Sequence, residues 1–434
     1  MTALTEPIDK TRSPSPMPPI NPVLLSDARV LAAYLIFFGS YFVFALGKFP
    51  WMKIDRPGAA IIGAVLMVAF RIVGPQEALQ SIDFATIVLL FSMMLVVANL
   101  RVGGFFERIA EWAIERLHPH HLLPTVIFTT GVLSAFLVND IVCLVMTPFV
   151  VHMAQRLKVP AVPYVIAVAT ASNIGSVATI TGNPQNMLIG SLSRITYLEF
   201  IAHLGPVAIA GMCLNWLLIH WIYLRGPIDR VSVTEVLSAP EFQYEPMRRK
   251  PVVVLVIVLS GFLIGVPAAM MAAIGAALLL ITRTVEPRKV YDEVDWGLLV
   301  FFVGLFIIVA GAERAGLTAR LLQPFAKWDL HQIGVFVPLT AALSNIVSNV
   351  PAVMLLRTLV VNFPDPHAGW LTLALASTLA GNLTITGSIA NIIVVERAAA
   401  VGVHVGFREY FRVGLPLTLA TLFVGSIWLL VSLG

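Results

Sequence analysis

The feature that most constrains this chain is a polar break inside a long apolar run, over residues 164–190. The run begins as a hydrophobic helix, becomes rich in Gly, Ser, Thr and Asn over 172–186, and then turns apolar again. Unwound backbone at membrane depth is tolerated only where protein buries it or where it lines a polar cavity. The pattern therefore predicts a broken membrane helix, which is typical of a transporter's binding site.

The second half of the chain repeats this break. Residues 384–387 (TITG) with Asn391 match residues 179–182 (TITG) with Asn186, and 133–139 aligns with 343–349. Each half is expected to contribute five crossings and one hairpin. Because five is odd, the second copy must enter the membrane inverted relative to the first. The expected fold is an all-α polytopic membrane protein, an inverted repeat of two five-helix halves, each with a re-entrant hairpin and a broken helix.

Composition supports a membrane protein. Hydrophobic residues make up 58% of the chain and charged residues only 12%, with a mean hydropathy of +0.89. Soluble proteins carry roughly 25% charged residues. The net charge of +4 does not indicate nucleic-acid binding, because the Lys and Arg residues lie in short loops between apolar spans. Their distribution predicts a multi-pass protein of the plasma (inner) membrane with both termini outside.

The expected boundaries follow from the apolar runs. Spanning helices need about 20 apolar residues, so a longer run with polar residues at its centre suits a re-entrant hairpin. The predicted segments are a disordered Pro-rich tail, 1–28; the first repeat, 29–224, with its hairpin at 124–157 and broken helix at 162–190; a cytoplasmic linker, 225–250; and the second repeat, 251–434, with its hairpin at 333–361 and broken helix at 370–399.

Asn139 and Asp140 are the first candidate site residues, at the predicted tip of the first hairpin. Asparagine supplies both a donor and an acceptor where a helix is interrupted. A carboxylate at membrane depth costs several kcal/mol unless it is paired, protonated or ion-bound, so Asp140 indicates a cation or proton site. The alternative is a turn residue exposed to the cytoplasm on a shallower hairpin. Val350 aligns with Asp140 in the second half, so the two half-sites are not equivalent.

The remaining candidates are amides, hydroxyls and glycines at the tips and breaks. Some of them, such as Gly175 and Ser176, could instead serve close helix packing. The predicted substrate-binding residues are Asn139, Asn183, Pro184, Asn186, Asn349, Thr386, Ser388 and Asn391. The predicted cation- or proton-binding residues, which would suit sodium, are Asp140, Ser172, Asn173, Thr179, Thr181, Gly182, Ser344, Asn345, Ser348, Asn382, Thr384 and Gly387.

Other polar residues have simpler interpretations. Asp83 and Asp295 stand at span starts and suit helix N-caps. Arg357 is expected to pair or to reach the interface, with anion contact as an alternative, and His118, His120 and His121 suit an interfacial loop rather than a metal site. The nucleotide-binding, zinc-protease and serine-hydrolase motifs are absent, so neither an enzyme nor a cofactor is expected.

Three segments resemble a known family: 137–148 (LVNDIVCLVMTP), 171–190 (ASNIGSVATITGNPQNMLIG) and 344–356 (SNIVSNVPAVMLL). They are similar to the ion transporter superfamily and most similar to its arsenite/anion permease branch, which is related to sodium/dicarboxylate symporters and citrate carriers. The resemblance implies elevator-type movement and a homodimer. In the dicarboxylate branch the hairpin tips carry Ser-Asn-Thr. Here Asn139 and Asn349 keep the amide, but the threonine is missing at both tips.

These observations predict a secondary active transporter of a small anion or oxyanion, coupled to sodium or protons, with the lipid bilayer as its environment. Two alternatives stay open. One is a sodium/proton antiporter in which Asp140 binds the two cations in turn. The other, suggested by the arsenite branch, is an efflux permease energised by a separate ATPase partner.

Overall fold

The computed structural model describes residues 26–47, 53–106, 108–109, 121–224, 248–281, 286–325 and 328–433. Every secondary-structure element within these ranges is a helix, so the predicted all-helical class is confirmed. Nearly all of the predicted tail and most of the predicted linker lie outside the described residues, as do His118 and His120.

The helices of the first half are α1 Asp27–Leu46, α2 Arg56–Ala69, α3 Pro75–Ser81, α4 Phe84–Val102, α5 Leu122–Phe136, α6 Asn139–Arg156, α7 Val162–Ser176, α8 Pro184–Ser193 and α9 Tyr197–Tyr223. Those of the second half are α10 Arg249–Leu263, α11 Ala268–Leu280, α12 Pro287–Tyr291, α13 Trp296–Arg314, α14 Leu317–Leu322, α15 Ile333–Val347, α16 Asn349–Val360, α17 Pro366–Leu379, α18 Ile389–Ala400 and α19 Phe407–Leu433.

Several helices have the length and composition of membrane spans. Within the described ranges, five qualify outright: α1, α4, α9, α13 and α19. Helix α1 shows how such a helix divides its faces. Phe37 and Phe44 are buried against neighbouring helices, whereas Leu31, Leu35 and Phe42 are exposed. Large apolar side chains on the outer face of helices of this length and composition suit contact with lipid, so the fold is that of an integral membrane protein.

The helix packing has a two-fold character. Helix α2 packs on α13 and α4 packs on α11, so each contact joins one half to the other. Within each half, the first hairpin arm packs on the helix before the break: α5 on α7, and α15 on α17. Helix α2 corresponds to α11 and α4 to α13, so the contact of α2 with α13 is the counterpart of the contact of α11 with α4. In the same way, the contact of α5 with α7 is the counterpart of the contact of α15 with α17. The inverted orientation of the second half across the membrane stays a prediction.

Two ion pairs follow the same relationship. Arg101, at the end of α4, pairs with Glu293, which lies just before α13. Arg314, at the end of α13, pairs with Glu77 of α3, the short helix before α4. Each pair therefore fastens the end of a long crossing in one half to the segment that precedes the corresponding crossing in the other half.

The helices are interrupted in four places that correspond to the two predicted tips and the two predicted breaks; re-entry of the two hairpins into the membrane stays a prediction. Helices α5 and α6 contact each other across a tip at 137–138, and α15 and α16 meet at Ser348. Ser348 has a φ of +77°, which a non-glycine residue adopts only under strain. The first break, 177–183, separates α7 from α8. The second contains two short 3₁₀ turns, Ala380–Asn382 and Ile385–Gly387, between α17 and α18.

Candidate functional site

A cavity of about 150 Å³ lies where the two hairpin tips meet the two broken helices. Its wall also includes the beginnings of α2 and α13. The lining residues are Arg56, Pro57, Asn139, Asp140, Pro184, Gln185, Asp295, Leu298, Phe301, Ser348, Asn349, Val350, Ser388 and Ile389. Of the predicted substrate residues, this wall holds Asn139, Pro184, Asn349 and Ser388; of the predicted cation residues, it holds Asp140 and Ser348.

Helix N-termini converge on this cavity. Among the described residues, four helices from the hairpins and breaks place their first residue in its wall: Asn139 of α6, Pro184 of α8, Asn349 of α16 and Ile389 of α18. The first turn of a helix leaves backbone N–H groups unpaired and carries a partial positive charge of about half a unit. Four such ends around one small volume favour oxygen atoms that accept hydrogen bonds.

The first hairpin tip presents free oxygen atoms to the site. The backbone N–H of Asn139 donates to the carbonyl of Gly182, 3.0 Å away, which ties the tip to the first break. The Asn139 side chain is 4% exposed, and its Oδ1 has no hydrogen-bond partner. Among the described residues, the Asp140 carboxylate likewise forms no hydrogen bond or ion pair. An unpaired carboxylate beside an unpaired amide oxygen is the kind of arrangement that a proton, a cation or a hydroxyl donor completes.

The second hairpin tip is organised by a hydroxyl. Ser344 donates to Asn349 Oδ1 at 2.6 Å and also lies 3.2 Å from the carbonyl of Ser377. The bond from Ser344 occupies the side-chain oxygen of Asn349 and fixes the orientation of its amide group. The Asn349 Nδ2 group is free to donate toward the cavity, since no described residue accepts from it. Asn139 and Asn349 thus stand at matching tips but offer opposite hydrogen-bonding groups.

The amides of Asn186 and Asn391 are occupied by unwound backbone. Asn186 donates to the carbonyls of Ser176 and Thr179, both at 3.0 Å. Asn391 donates to the corresponding carbonyls of the second break, those of Gly381 and Thr384, at 2.7 Å and 3.0 Å. Both side chains are fully buried and neither lines the cavity. The structure therefore gives them a clear role in holding the breaks, and direct substrate contact by them stays a prediction.

Asn173 joins the two breaks to each other. Its Nδ2 donates to the side-chain oxygens of Asn382 and Asn391, both at 2.9 Å. Its Oδ1 accepts from Ser388, 3.0 Å away, and from Asn139 at a longer 3.4 Å. All of these side chains are buried. One amide thus connects the first hairpin tip, the first broken helix and the second broken helix into a single polar network.

The first break is held by a similar set of local bonds. Asn183 caps α8 by accepting from the backbone N–H of Asn186, at 2.8 Å. Thr179 donates to the carbonyl of Ala135 in the hairpin, and Thr181 shares a hydrogen bond of 2.7 Å with Tyr197. Ser172 accepts from the Cys143 thiol of α6. None of the predicted residues Ser172, Asn173, Thr179, Thr181, Gly182, Asn183, Ser344 or Asn382 reaches the cavity wall.

A second group of oxygens lies behind the tip of the second hairpin. Asn345 donates to the carbonyls of Ala341 and Ala380, both at 3.0 Å, and its buried Oδ1 has no partner. A Cβ placed on Gly387 would lie 3.0 Å from that Oδ1 and 2.9 Å from the carbonyl oxygen of Gly381. Only glycine leaves this space open. Two oxygens pointing into a small space suit a monovalent cation. The neighbouring pair Thr384 and Thr386 bond to each other nearer the surface.

Several features were interpreted correctly from the sequence. Asp83 and Asp295 cap α4 and α13 by accepting from Thr86 and Leu298 N–H groups, and Arg357 pairs with Glu313 at 3.0 Å. Gly175 serves close packing, since a Cβ there would lie 2.0 Å from the Gly131 carbonyl oxygen. His121 is the residue before α5, whereas His118 and His120 lie outside the described residues, so the interpretation of this histidine run as an interfacial loop stays a prediction.

Three residues of the cavity wall were not predicted from the sequence as site residues: Arg56, Gln185 and Asp295. Arg56 belongs to the Lys and Arg residues expected in short loops between spans, but it is the first residue of α2 and lines the cavity. Gln185 donates to Thr378 across the two halves at 3.3 Å. The signal for Gln185 was present, because it lies within the NPQN segment of the break. Nothing local in the sequence places Arg56 or Asp295 near Asp140.

Residues 41–380 match the family described as CitMHS, citrate transporter. The silicon efflux transporter LSI3 of Oryza sativa is 31% identical over 89% of this chain and 95% of its own length. A 46 kDa membrane protein of Mycobacterium leprae is 29% identical over 87% and 94%, and the arsB transporter of Dictyostelium discoideum is 26% identical over 86% and 87%.

Among solved structures, the YdaH transporter of Alcanivorax borkumensis is similar in fold. Its TM-score is 0.56 with 16% sequence identity, over 93% of this chain and 96% of that one. A likeness at this identity concerns the fold alone. The family match covers most of the chain and agrees with the resemblance of the three segments, so membership of the family is shown. The family and the relatives are membrane transporters, not enzymes. This chain belongs to the CitMHS citrate transporter family of membrane transporters.

Proposed function

We propose that this protein is a secondary transporter of a small oxyanion or of its hydroxylated acid, driven by a proton or sodium gradient. The observation that supports it best is the convergence of four helix N-termini with Asn139, Asp140 and Asn349 on one small cavity. Helix N-termini at a broken-helix site bind anionic or oxygen-rich groups in transporters of this general design.

The chemistry of the wall favours a solute that both accepts and donates hydrogen bonds. Donors are the helix N-termini, Asn349 Nδ2 and the Arg56 guanidinium; acceptors are Asn139 Oδ1 and the carboxylates of Asp140 and Asp295. A fully ionised polycarboxylate such as citrate would meet two like charges. A small hydroxylated oxyacid satisfies both sets of groups. The relatives named for silicon efflux and as arsB therefore suggest silicic acid and arsenite as the first substrates to test.

Two places in the structure support ion coupling. The unpaired Asp140 carboxylate at the first tip can take up a proton. The Asn345 Oδ1 and Gly381 carbonyl near Gly387 offer oxygen ligands of the kind that sodium prefers. Proton coupling through Asp140 is the simpler proposal because Asp140 lines the substrate cavity itself. Elevator movement, a homodimer, residence in the inner membrane and external termini complete the proposal.

Thermal stability of the detergent-purified protein tests the substrate class. A ligand that binds only the folded state adds roughly 2.7 kcal/mol at 100 times its Kd. Silicic acid, arsenite, phosphate and citrate would be compared in sodium and choline buffers at two pH values. We expect stabilisation by a small oxyacid and not by citrate. Stabilisation by sodium or by pH alone would favour a sodium/proton antiporter. Flux that requires an added ATPase would favour the arsenite-type efflux permease.

A further inference from the structure

Arg56 of α2 is a cation in the cavity wall, and the proposed function counts it only as one donor among several. It is half-buried and its Nε donates to the carbonyl of Phe44 in α1, 2.9 Å away. Among the described residues, no carboxylate lies within ion-pair distance of its guanidinium, and no acceptor bonds its two terminal nitrogens. An unpaired, partly buried guanidinium in a membrane protein is costly and marks a functional position.

Two carboxylates share the cavity with Arg56, those of Asp140 and Asp295. Within the described residues neither forms an ion pair with its guanidinium. The positive and the negative groups therefore line one cavity without bonding to each other. A solute of a few atoms placed between them can accept from the terminal nitrogens of Arg56 and donate to a carboxylate. That complementarity points to a ligand rather than to a structural ion pair.

A hydrogen bond and close helix packing hold Arg56 in position. Its Nε bond to Phe44 fixes the base of the guanidinium, and α2 lies close against α13, where a Cβ on Gly304 would stand 2.6 Å from the Ala60 carbonyl oxygen. The corresponding helix of the second half, α11, begins with Ala268 after Pro267 and carries no cation there. Among the described residues, the charge of Arg56 therefore has no counterpart at the start of α11. The cavity occupant would contact it together with the hairpin tips.

We propose that Arg56 is a substrate-binding residue whose terminal guanidinium nitrogens donate to the oxygen atoms of the transported oxyacid. This inference rests on the proposed function, since it takes a small oxyacid as the occupant. Arginine is suited to the role because its planar fork can donate two parallel hydrogen bonds to two oxygens of one ligand. Because α2 lies outside the hairpins and breaks, Arg56 adds a contact from a separate group of packed helices.

The test compares Arg56→Gln and Arg56→Lys with the control Lys53→Gln. Lys53 lies in the segment just before α2, is exposed and does not line the cavity. The readouts are the Kd for arsenite and silicic acid from thermal stabilisation in detergent, and gradient-driven flux in proteoliposomes. We expect Arg56→Gln to weaken binding about tenfold or more, the size of a lost charge-assisted hydrogen bond. Arg56→Lys should recover part of that loss, and Lys53→Gln should bind as the wild type does.

A chemical rescue keeps the proposal testable on a folded protein. In a Cys213→Ser background, Arg56→Cys would be modified with a cationic or a neutral thiol reagent of equal size; Cys143 is buried. We expect the cationic reagent alone to restore binding, and bound oxyacid to slow the modification. An unchanged Kd in Arg56→Gln, or equal rescue by both reagents, overturns the role of Arg56. Binding that needs Arg56 but no gradient-driven flux overturns the transport proposal alone, and absence of binding by the wild type overturns both.

Discussion

Asn186 and Asn391 perform the same task in the two halves of the chain: each donates its amide hydrogens to two carbonyls that its own break has unwound. Buried carbonyls without partners are costly, and here a side chain supplies what a regular helix would have supplied. Each amide oxygen is also held from the opposite half, Asn186 by Thr378 and Asn391 by Asn173. The two breaks therefore stabilise each other.

We expect Asn186 to be needed mainly for stability and Asn139 mainly for substrate binding. Asn186→Ala removes the 3.0 Å hydrogen bonds to the carbonyls of Ser176 and Thr179 and leaves them only 3.4 Å bonds, from Asn183 Nδ2 and from the Gly182 N–H. We expect a loss of at least about 2 kcal/mol, at about 1–3 kcal/mol for each of the two buried groups. Asn139→Ala removes an unpartnered oxygen and one long hydrogen bond, so its stability should change by less than about 1 kcal/mol while substrate binding is lost. Thermal unfolding in detergent measures the first quantity and substrate-induced stabilisation the second. Equal destabilisation by both substitutions would argue against the division of roles.

Replacing Asp140 should remove coupling while preserving the fold. The carboxylate has no bonding partner among the described residues, so Asp140→Asn breaks no internal contact. It removes the only carboxylate that the first tip presents to the cavity. We expect proton-driven flux in proteoliposomes to fall at least tenfold, with the melting temperature unchanged or raised. Asp292→Asn, at an exposed position after α12, serves as the control. Full proton-driven flux in Asp140→Asn would show that another group carries the proton.

Sodium, if it couples, should act through Asn345. Its Oδ1 is buried without a partner beside the Gly381 carbonyl, and Gly387 leaves the space between them open. Asn345→Ala should abolish any stabilisation by sodium, and Gly387→Ala should do the same by filling the space. Titration of the melting temperature with sodium against choline measures the effect. If sodium stabilises the wild type and both variants equally, it binds elsewhere. If it stabilises none of them, coupling by sodium is excluded under those conditions.

A cross-link between α4 and α8 should stop the transport cycle. Ser191 of α8 donates to both oxygens of Asp83, the N-cap of α4, at 2.9 Å and 3.1 Å. The opposite end of α8 lines the cavity through Pro184 and Gln185. If the broken helices move relative to α4 during transport, this contact must open. In a Cys213→Ser background, Asp83→Cys with Ser191→Cys joined by a short bifunctional thiol reagent should lose flux but keep substrate binding. Continued flux in the cross-linked protein would show that α4 and α8 move as one unit.

Local sequence patterns located the breaks and tips well. Asn, Ser, Thr and Gly residues clustered inside apolar runs indicate either interrupted helices or close helix packing, and the repeated TITG segment identified both breaks. The same patterns could not show which way an amide faces. Asn186 and Asn139 look alike in the sequence, but one is bonded to backbone and the other has a free oxygen.

The cavity wall was harder to predict, because it depends on contacts between distant segments. Arg56 and Asp295 reach the hairpin tips only through the packing of α2 against α13, which joins the two halves. No periodicity within either segment reports that contact. A cation near the start of a span also has an ordinary explanation as a residue that sets membrane orientation.

Flux of silicic acid and arsenite into proteoliposomes, under an imposed pH or sodium gradient, tests the central claim most directly. We predict saturable, gradient-dependent flux of at least one of these oxyacids, little competition by citrate, and loss of flux in Asn349→Ala with retained folding. Gradient-driven flux of citrate that neither silicic acid nor arsenite inhibits would contradict the account.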